Sequence, residues 1–261
     1  MRFLLCIFLA CFSANAALKI NGVVVTKADG ITFSKVNGVT GTLYPSLYGT
    51  VAAWYAVRKE TAYNNSDPMG TLTDWSGNAR NATASTTARP TYVTGVVNGL
   101  PSARFDGVAN VMVTSSVAWG DSLTVFCVFK FITKTVNFAR AVEVGANNQW
   151  AIAHWTGSVG DGNLQWGTGA GLNVSGYNAF TTSSFVGTSS TGDWWKNGSS
   201  VGSNTGVTGV STGSVPITFA NFGGGGSFFG NIDFEELIIY TGTVTSRTAI
   251  EDQLRLIYGH Y

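Results

Sequence analysis

The sequence predicts an all-β fold with one short helix at its C-terminal end, and three observations support this. Short apolar or alternating runs recur between residues 50 and 240, separated by Gly, Asn, Ser and Thr clusters, the spacing of a sandwich or barrel. In Leu123–Phe131, Val125, Cys127, Phe129 and Phe131 alternate with Thr124 and Lys130, which is the period of a half-buried strand. Composition agrees: 33 of 261 residues are Gly and only 11% are charged, so flexible polar loops replace the Lys- and Glu-rich helices of an ordinary cytosolic enzyme.

The N-terminus opens with Met1-Arg2, an apolar run from Phe3 to Phe12, then Ser13-Ala14-Asn15-Ala16-Ala17. A short positive region, a hydrophobic core and an A-x-A site form the pattern of a secretory signal peptide, residues 1–16, cleaved after Ala16. The run is shorter than the roughly 20 apolar residues of a permanent span, and no later run is longer, so no membrane span is expected. The implied location is secreted or extracellular. Cys6 and Cys11 fall inside this segment, leaving Cys127 as a lone thiol that cannot form an internal disulfide and reads as a small buried hydrophobe.

Next, Lys19-Ile20-Asn21-Gly22-Val23 recurs as Lys35-Val36-Asn37-Gly38-Val39. Asn-Gly between β-branched residues favours a two-residue hairpin turn. Residues 17–43 are therefore expected to form an N-terminal β-hairpin arm, distinct from a main domain over residues 44–261. The arm is similar to small hairpin segments at the N-termini of some phage tail and fibre proteins, which implies contact with other virion proteins through the arm.

At the other end, Ile250, Leu254 and Ile257 fall at i, i+4 and i+7, one apolar stripe that can dock a helix on a sheet. Thr248 to Glu251 has capping-box spacing, with Thr245 and Ser246 as alternative caps, and Gly259 sits where a left-handed C-cap belongs.

Between these ends come Trp54-Tyr55-Ala56, Asp74-Trp75-Ser76-Gly77-Asn78, Arg89-Pro90-Thr91-Tyr92, Asn98-Gly99-Leu100-Pro101 and Arg104-Phe105-Asp106-Gly107. Later come Trp194-Trp195-Lys196-Asn197-Gly198 and Phe229-Gly230-Asn231-Ile232, running into Glu236–Tyr240. In this order, over about residues 50–259, the chain resembles LamG-like jelly-roll domains of the concanavalin A-like lectin/glucanase superfamily. The resemblance implies a two-sheet antiparallel jelly-roll sandwich with one concave sheet. Residue by residue the motifs read as structure. Asp74 and Asn78 suit a turn in which Trp75 anchors the loop, and Asp106-Gly107 suits a tight turn.

Charge and chemistry narrow the function. With 15 basic against 14 acidic residues the net charge is +1, which lacks the basic footprint of a nucleic-acid binder. Two histidines and no phosphate-loop fingerprint leave little for metal or nucleotide chemistry. Some relatives of this fold are retaining glucanases, and for these the resemblance implies a Glu-x-Asp-x-Glu strand whose two carboxyls stand about 5 Å apart. This chain has Asn231-Ile232-Asp233-Phe234-Glu235, with an amide where the nucleophile would be, so no enzyme is expected.

The leading expectation is a secreted non-catalytic carbohydrate-binding or adhesion module whose partner is a cell-surface or extracellular glycan. The alternative is a structural or decorating virion protein displaying the jelly roll at the virion surface. Sugar faces stack on aromatic rings while amides and acids bond hydroxyls. The candidate ligand-binding residues are accordingly Asn147, Asn148, Trp150, His154, Trp155, Trp166, Trp194 and Trp195. Alternation sends Trp194 and Trp195 to opposite faces. The resemblance also allows a structural calcium ion on Asp74, Asp106, Asp161 and Asn163. No dense acidic loop accompanies them, so no metal or other cofactor is expected.

Overall fold

The computed structural model describes residues 18–20, 23–28, 30–34, 43–120, 122–133, 139–145, 150–154, 162–166, 171–205, 214–221 and 228–260. The chain divides into two compact units, Met1–Thr42 and Leu43–Tyr261. The expected signal peptide, residues 1–16, lies outside the described residues.

In the first unit, Leu18–Ile20, Val23–Ala28 and Gly30–Ser34 form one antiparallel sheet. Ile20 pairs with Val23 across the two residues expected to turn there. A second reversal sets Ala28 opposite Gly30, so the sheet has three strands where a simple hairpin was expected. Asn37-Gly38 lies outside the described residues.

The second unit is a sandwich of two eight-stranded antiparallel sheets. The first sheet is organised around Asn231–Thr241, which pairs with Leu123–Thr133 along one edge. Along its other edge Leu100–Asp106 takes the first half and Val51–Ala56 the second. The second sheet has Arg140–Val144 near its middle, between Trp150–His154 and Ile217–Phe219. Inward residues of both sheets, among them Val125, Cys127, Phe129, Val142, Ile152 and Phe219, form one buried cluster. Non-polar area removed from water at about 25 cal/mol per Å² drives this assembly, since no disulfide supports it among the described residues.

The helix Arg247–Tyr258 docks on the outer face of the first sheet. Ile250, Leu254 and Ile257 are buried there against Phe126, Val128, Ile238 and Tyr240. Leu123–Phe131 is therefore covered on both faces over most of its length, not half-buried as its alternation suggested. Ser246 supplies the N-cap, accepting from the Ala249 amide at 3.3 Å, and Gly259 closes the helix at φ 68°.

A register shift breaks the central pairing. Val128 pairs with Glu236 but Phe129 pairs with Phe234, leaving Glu235 as a bulge residue. Phe234 and Leu237 consequently both reach the core although they are three residues apart. Asp233, Glu235 and Glu236 are all buried around this bulge, each carboxyl within reach of different neighbours. No helix among the described residues is long and apolar enough to cross a membrane.

Candidate ligand-binding site

The structure redistributes the tryptophans that the sequence marked for binding. Trp194 and Trp195 do face opposite ways, but Trp194 points into the core and is fully buried, as is Trp150. Both are corrected from ligand contacts to packing residues, because Trp194 from the first sheet and Trp150 from the second meet inside the sandwich. Trp195 points outward and is half-buried. The Arg247 guanidinium lies 4.0 Å from its ring centroid and also pairs with Glu251, so this indole helps seat the helix. In the second sheet Trp166 pairs with Trp150, and His154 with Gly162. Asn147, Asn148 and Trp155 lie outside the described residues.

Exposed aromatic surface is found elsewhere. Trp75 is 37% exposed and Tyr44 is 38% exposed, and both line one pocket of about 300 Å³ with Trp54, Ser46, Thr50 and Ser76. Local chemistry builds it. One Asp74 carboxylate oxygen accepts from the Trp54 and Ser76 amides at 3.0 Å each, and the other accepts from the Arg80 amide at 3.0 Å. The Trp75 amide donates to the Trp54 carbonyl at 2.7 Å, and Asn78 donates to the carbonyls of Val51 and Ala52. The loop is thus pinned by its backbone while the Trp75 ring is left outside. Opposite, Tyr240 donates its hydroxyl to the Pro45 carbonyl at 3.1 Å and fixes the short turn Pro45–Leu47 beside Tyr44.

The floor is rigid too. Trp54 Nε1 donates to Glu236 at 2.7 Å, and the same buried carboxylate accepts from Arg58 at 3.0 Å and from the Tyr258 hydroxyl at 2.7 Å. Lys59 lies against both indoles, its ammonium 4.2 Å from the Trp54 centroid and 4.5 Å from that of Trp75. Burial lowers the Lys59 pKa, as does neighbouring Arg58, while Glu236 partly offsets them.

The sequence marked Asp74 and Asn78 as turn formers but took Trp75 for the anchor. The turn chemistry does the anchoring itself and presents the indole outward. A Trp at the tip of an Asp-x-Ser-Gly-Asn turn was the available signal. Tyr44 and Lys59 carried none, because they join Trp75 only in three dimensions.

A second pocket, of about 430 Å³, lies along Asn231 and Asp233 with Arg104, Lys130, Asp106 and Asn110. Its groups are largely occupied with one another. Arg104 forks onto Asp233 at 2.7 and 2.8 Å, Lys130 reaches the same carboxylate at 3.4 Å, and Asn231 donates to the Thr133 hydroxyl at 2.9 Å. Asp106 accepts from the amides of Val108, Ala109 and Asn110 at 2.9 Å each, which holds its pKa below the ordinary value against the effect of burial. Glu235 is buried, takes a hydrogen bond from Ser102, and has its pKa pushed well up by that burial. This strand offers an amide, a carboxylate held by two cations and a carboxyl sealed from solvent. The paired carboxyls of a retaining glycosidase would have to stand free in a cleft.

The residues considered for calcium are likewise engaged. Asp74 and Asp106 bind backbone amides as above, Asn163 donates to Asn173 at 2.9 Å, and Asp161 lies outside the described residues. Among the described residues no group of three or more His, Cys, Asp or Glu could hold a metal ion.

No protein-family model matches the sequence, and no curated protein matches it. Solved structures do match the sandwich. Domain 4 of AbnA, a GH43 extracellular arabinanase from Geobacillus stearothermophilus in complex with arabinotriose, gives a TM-score of 0.56 at 17% identity, covering 79% of this chain and 98% of that one. The binding domain of Paraclostridial Mosquitocidal Protein 1 gives 0.53 at 13% identity, covering 75% and 52%. Trypanosoma rangeli sialidase in complex with sialic acid gives 0.57 at 10% identity, covering 84% of this chain and 35% of that one. The likeness is one of fold. This chain matches about a third of the length of the sialidase, and almost all of the arabinanase domain.

Proposed function

We propose that residues 44–261 are a non-catalytic carbohydrate-binding or adhesion module of the concanavalin A-like, LamG-like jelly-roll type. Its glycan platform is the Tyr44–Trp54–Trp75 pocket. One observation carries this reading: two large aromatic side chains, Tyr44 and Trp75, are left exposed and line one pocket together with three hydroxyl side chains, and the Trp75 loop is pinned by its backbone. A sugar ring presents an apolar C–H face that stacks on an aromatic ring, and hydroxyls that Ser and Thr can bond. A rigid platform lowers the ordering cost of binding. The arabinotriose complex of the arabinanase domain and the binding domain of the mosquitocidal protein support the reading by analogy of fold.

The test is a glycan array with the purified chain, followed by calorimetry on each hit, arabino-oligosaccharides included. Trp75→Ala is expected to weaken binding at least about tenfold, the cost of losing one stacked ring. Trp195→Ala is expected to leave it unchanged. A silent array, or a hit that ignores both Trp75→Ala and Tyr44→Ala, defeats the proposal. Export through residues 1–16, with residues 17–43 left as an arm, belongs to the same reading. Mass spectrometry of the mature N-terminus is expected to find Ala17, and an intact Met1 would favour the virion role instead.

A further inference from the structure

We propose that Asn98 is a self-modification site: its side chain closes onto the Gly99 amide nitrogen, loses ammonia and becomes an acid, and the change loosens the end of the C-terminal helix. The matching turn at Asn197-Gly198 is protected from the same reaction.

Two Asn-Gly pairs turn hairpins in the first sheet. Val97 pairs with Leu100 across Asn98-Gly99, and Lys196 pairs with Ser199 across Asn197-Gly198. Both asparagines sit at φ 49° and the glycines at 76° and 83°, so the two turns share one backbone shape. Glycine after asparagine matters chemically, because no side chain shields its peptide nitrogen. That nitrogen can attack the asparagine Cγ. Its N–H proton passes to solvent, the side-chain nitrogen leaves as ammonia, and a succinimide ring remains. Water then opens the ring at either carbonyl, giving aspartate or isoaspartate. No other co-reactant is needed.

Surroundings separate the two turns. Asn98 and Gly99 are exposed, and a side-chain carbon placed on Gly99 would meet nothing within 4 Å. Among the described residues the Asn98 side chain makes one hydrogen bond, Nδ2 donating to the Ile257 carbonyl at 2.8 Å. Asn197 is half-buried and fixed at three points. Its Oδ1 accepts from the Thr182 amide at 2.9 Å, its own amide donates to the Thr182 carbonyl at 2.8 Å, and its carbonyl accepts from Arg255 at 2.8 Å. A side-chain carbon on Gly198 would lie 3.0 Å from the same guanidinium, so that glycine is covered. Ring closure needs the asparagine side chain to swing toward the glycine nitrogen. Asn98 gives up a single surface bond to do so, whereas Asn197 must break a bond made within the sheet.

The Asn98 bond ends on the helix. Ile257 lies in the last turn of Arg247–Tyr258. An acid at position 98 removes the donor and sets a negative charge beside the negative end of the helix dipole. Isoaspartate also adds a backbone atom to a two-residue turn whose geometry fixes the register of its strands.

The test ages the purified full chain in mildly alkaline buffer and follows residues 98 and 197 by peptide mapping and mass spectrometry. Position 98 is expected to convert several-fold faster than position 197, and the two rates are expected to converge in urea, where the turns are lost. Hydrogen exchange in the last helical turn is expected to speed up in the aged chain and in Asn98→Asp, with a fall in Tm in both. Asn98→Gln, whose longer side chain closes the ring poorly, is expected to keep its exchange rate on ageing. Conversion at 98 no faster than at 197 in the folded chain overturns the proposal. So does a chain converted at 98 whose last turn exchanges as before, or an Asn98→Gln chain that loosens equally on ageing.

Discussion

The indoles of Trp150 and Trp194 lie face to face between the two sheets, centroids 6.0 Å apart and planes within 14° of parallel. Phe185 closes on Trp194 at 4.4 Å. Neither indole N–H has a hydrogen-bond partner, so both rings are held by packing alone. Trp194→Ala is expected to cost about 3–5 kcal/mol of stability, the range for emptying a large aromatic from a core. Trp194→Phe is expected to cost clearly less, because it removes volume but also an unpaired buried donor. Urea unfolding monitored by tryptophan fluorescence measures both. Equal costs for the two variants would show that the site collapses around the smaller residue.

This pair also shows what periodicity can and cannot tell. Alternation in the Thr191–Lys196 strand correctly separates Trp194 from Trp195, but a period of two does not say which face meets the other sheet. The helix stripe at Ile250, Leu254 and Ile257 was legible because its spacing is local. Its landing place on Phe126 and Val128 was not, because the strand's period singles out only Val125, Cys127, Phe129 and Phe131. The bulge at Glu235 depends on register with Leu123–Thr133, which no local pattern encodes. His260, one residue from the chain end, reads as frayed from position alone, yet its Nε2 lies 2.7 Å from the Thr182 hydroxyl. The Tyr44–Trp54–Trp75 pocket was the least legible part. It joins Tyr44, Trp54 and Trp75, which are brought together only in three dimensions.

Glu236 ties Trp54, in the pocket lining, to the helix. Its carboxylate takes Trp54 Nε1, Arg58 and the Tyr258 hydroxyl, the last from the final turn of Arg247–Tyr258. Glu236→Gln leaves the Arg58 guanidinium, only 15% exposed, without its counter-charge. The expected cost is about 3–5 kcal/mol, as for other half-broken buried pairs. Arg58→Met made together with Glu236→Gln is expected to recover part of that loss, since the stranded charge goes with it. A double-mutant cycle by chemical denaturation measures the coupling, and additive losses would mean the two groups act independently.

Glu235 sets one pH dependence. Burial raises its pKa in the folded chain, the Ser102 hydrogen bond pulls the other way, and the Asp233 charge raises it further. A carboxyl raised on folding contributes stability that is complete below the unfolded value of about 4.3 and is lost as pH climbs through the folded value. Glu235→Gln keeps the site neutral at every pH. The variant is therefore expected to gain on the natural chain as pH rises, with the difference in Tm widening from about pH 4 upward. A difference that stays flat would mean that the Glu235 carboxyl titrates normally and that water reaches it.

His260 sets the opposite dependence. Burial is the main cause that lowers its pKa to about 4, and Arg255 adds to the effect against a hydrogen bond involving the Tyr258 backbone. An unfolded histidine takes its proton near pH 6.5, so between that value and about 4 the unfolded chain holds the extra proton. Stability from this group is present above the upper limit and drains away as pH falls through the lower one. Titration of the His260 ring by NMR is expected to show a midpoint near 4. Thr182→Val removes the hydroxyl facing Nε2 and loosens the docking of the chain end, so the midpoint is expected to move back toward the ordinary value. His260→Gln is expected to flatten the acid limb of the stability curve without touching the limb that Glu235 controls. A native midpoint already near the ordinary value would mean that the last residues do not dock at Thr182 in solution.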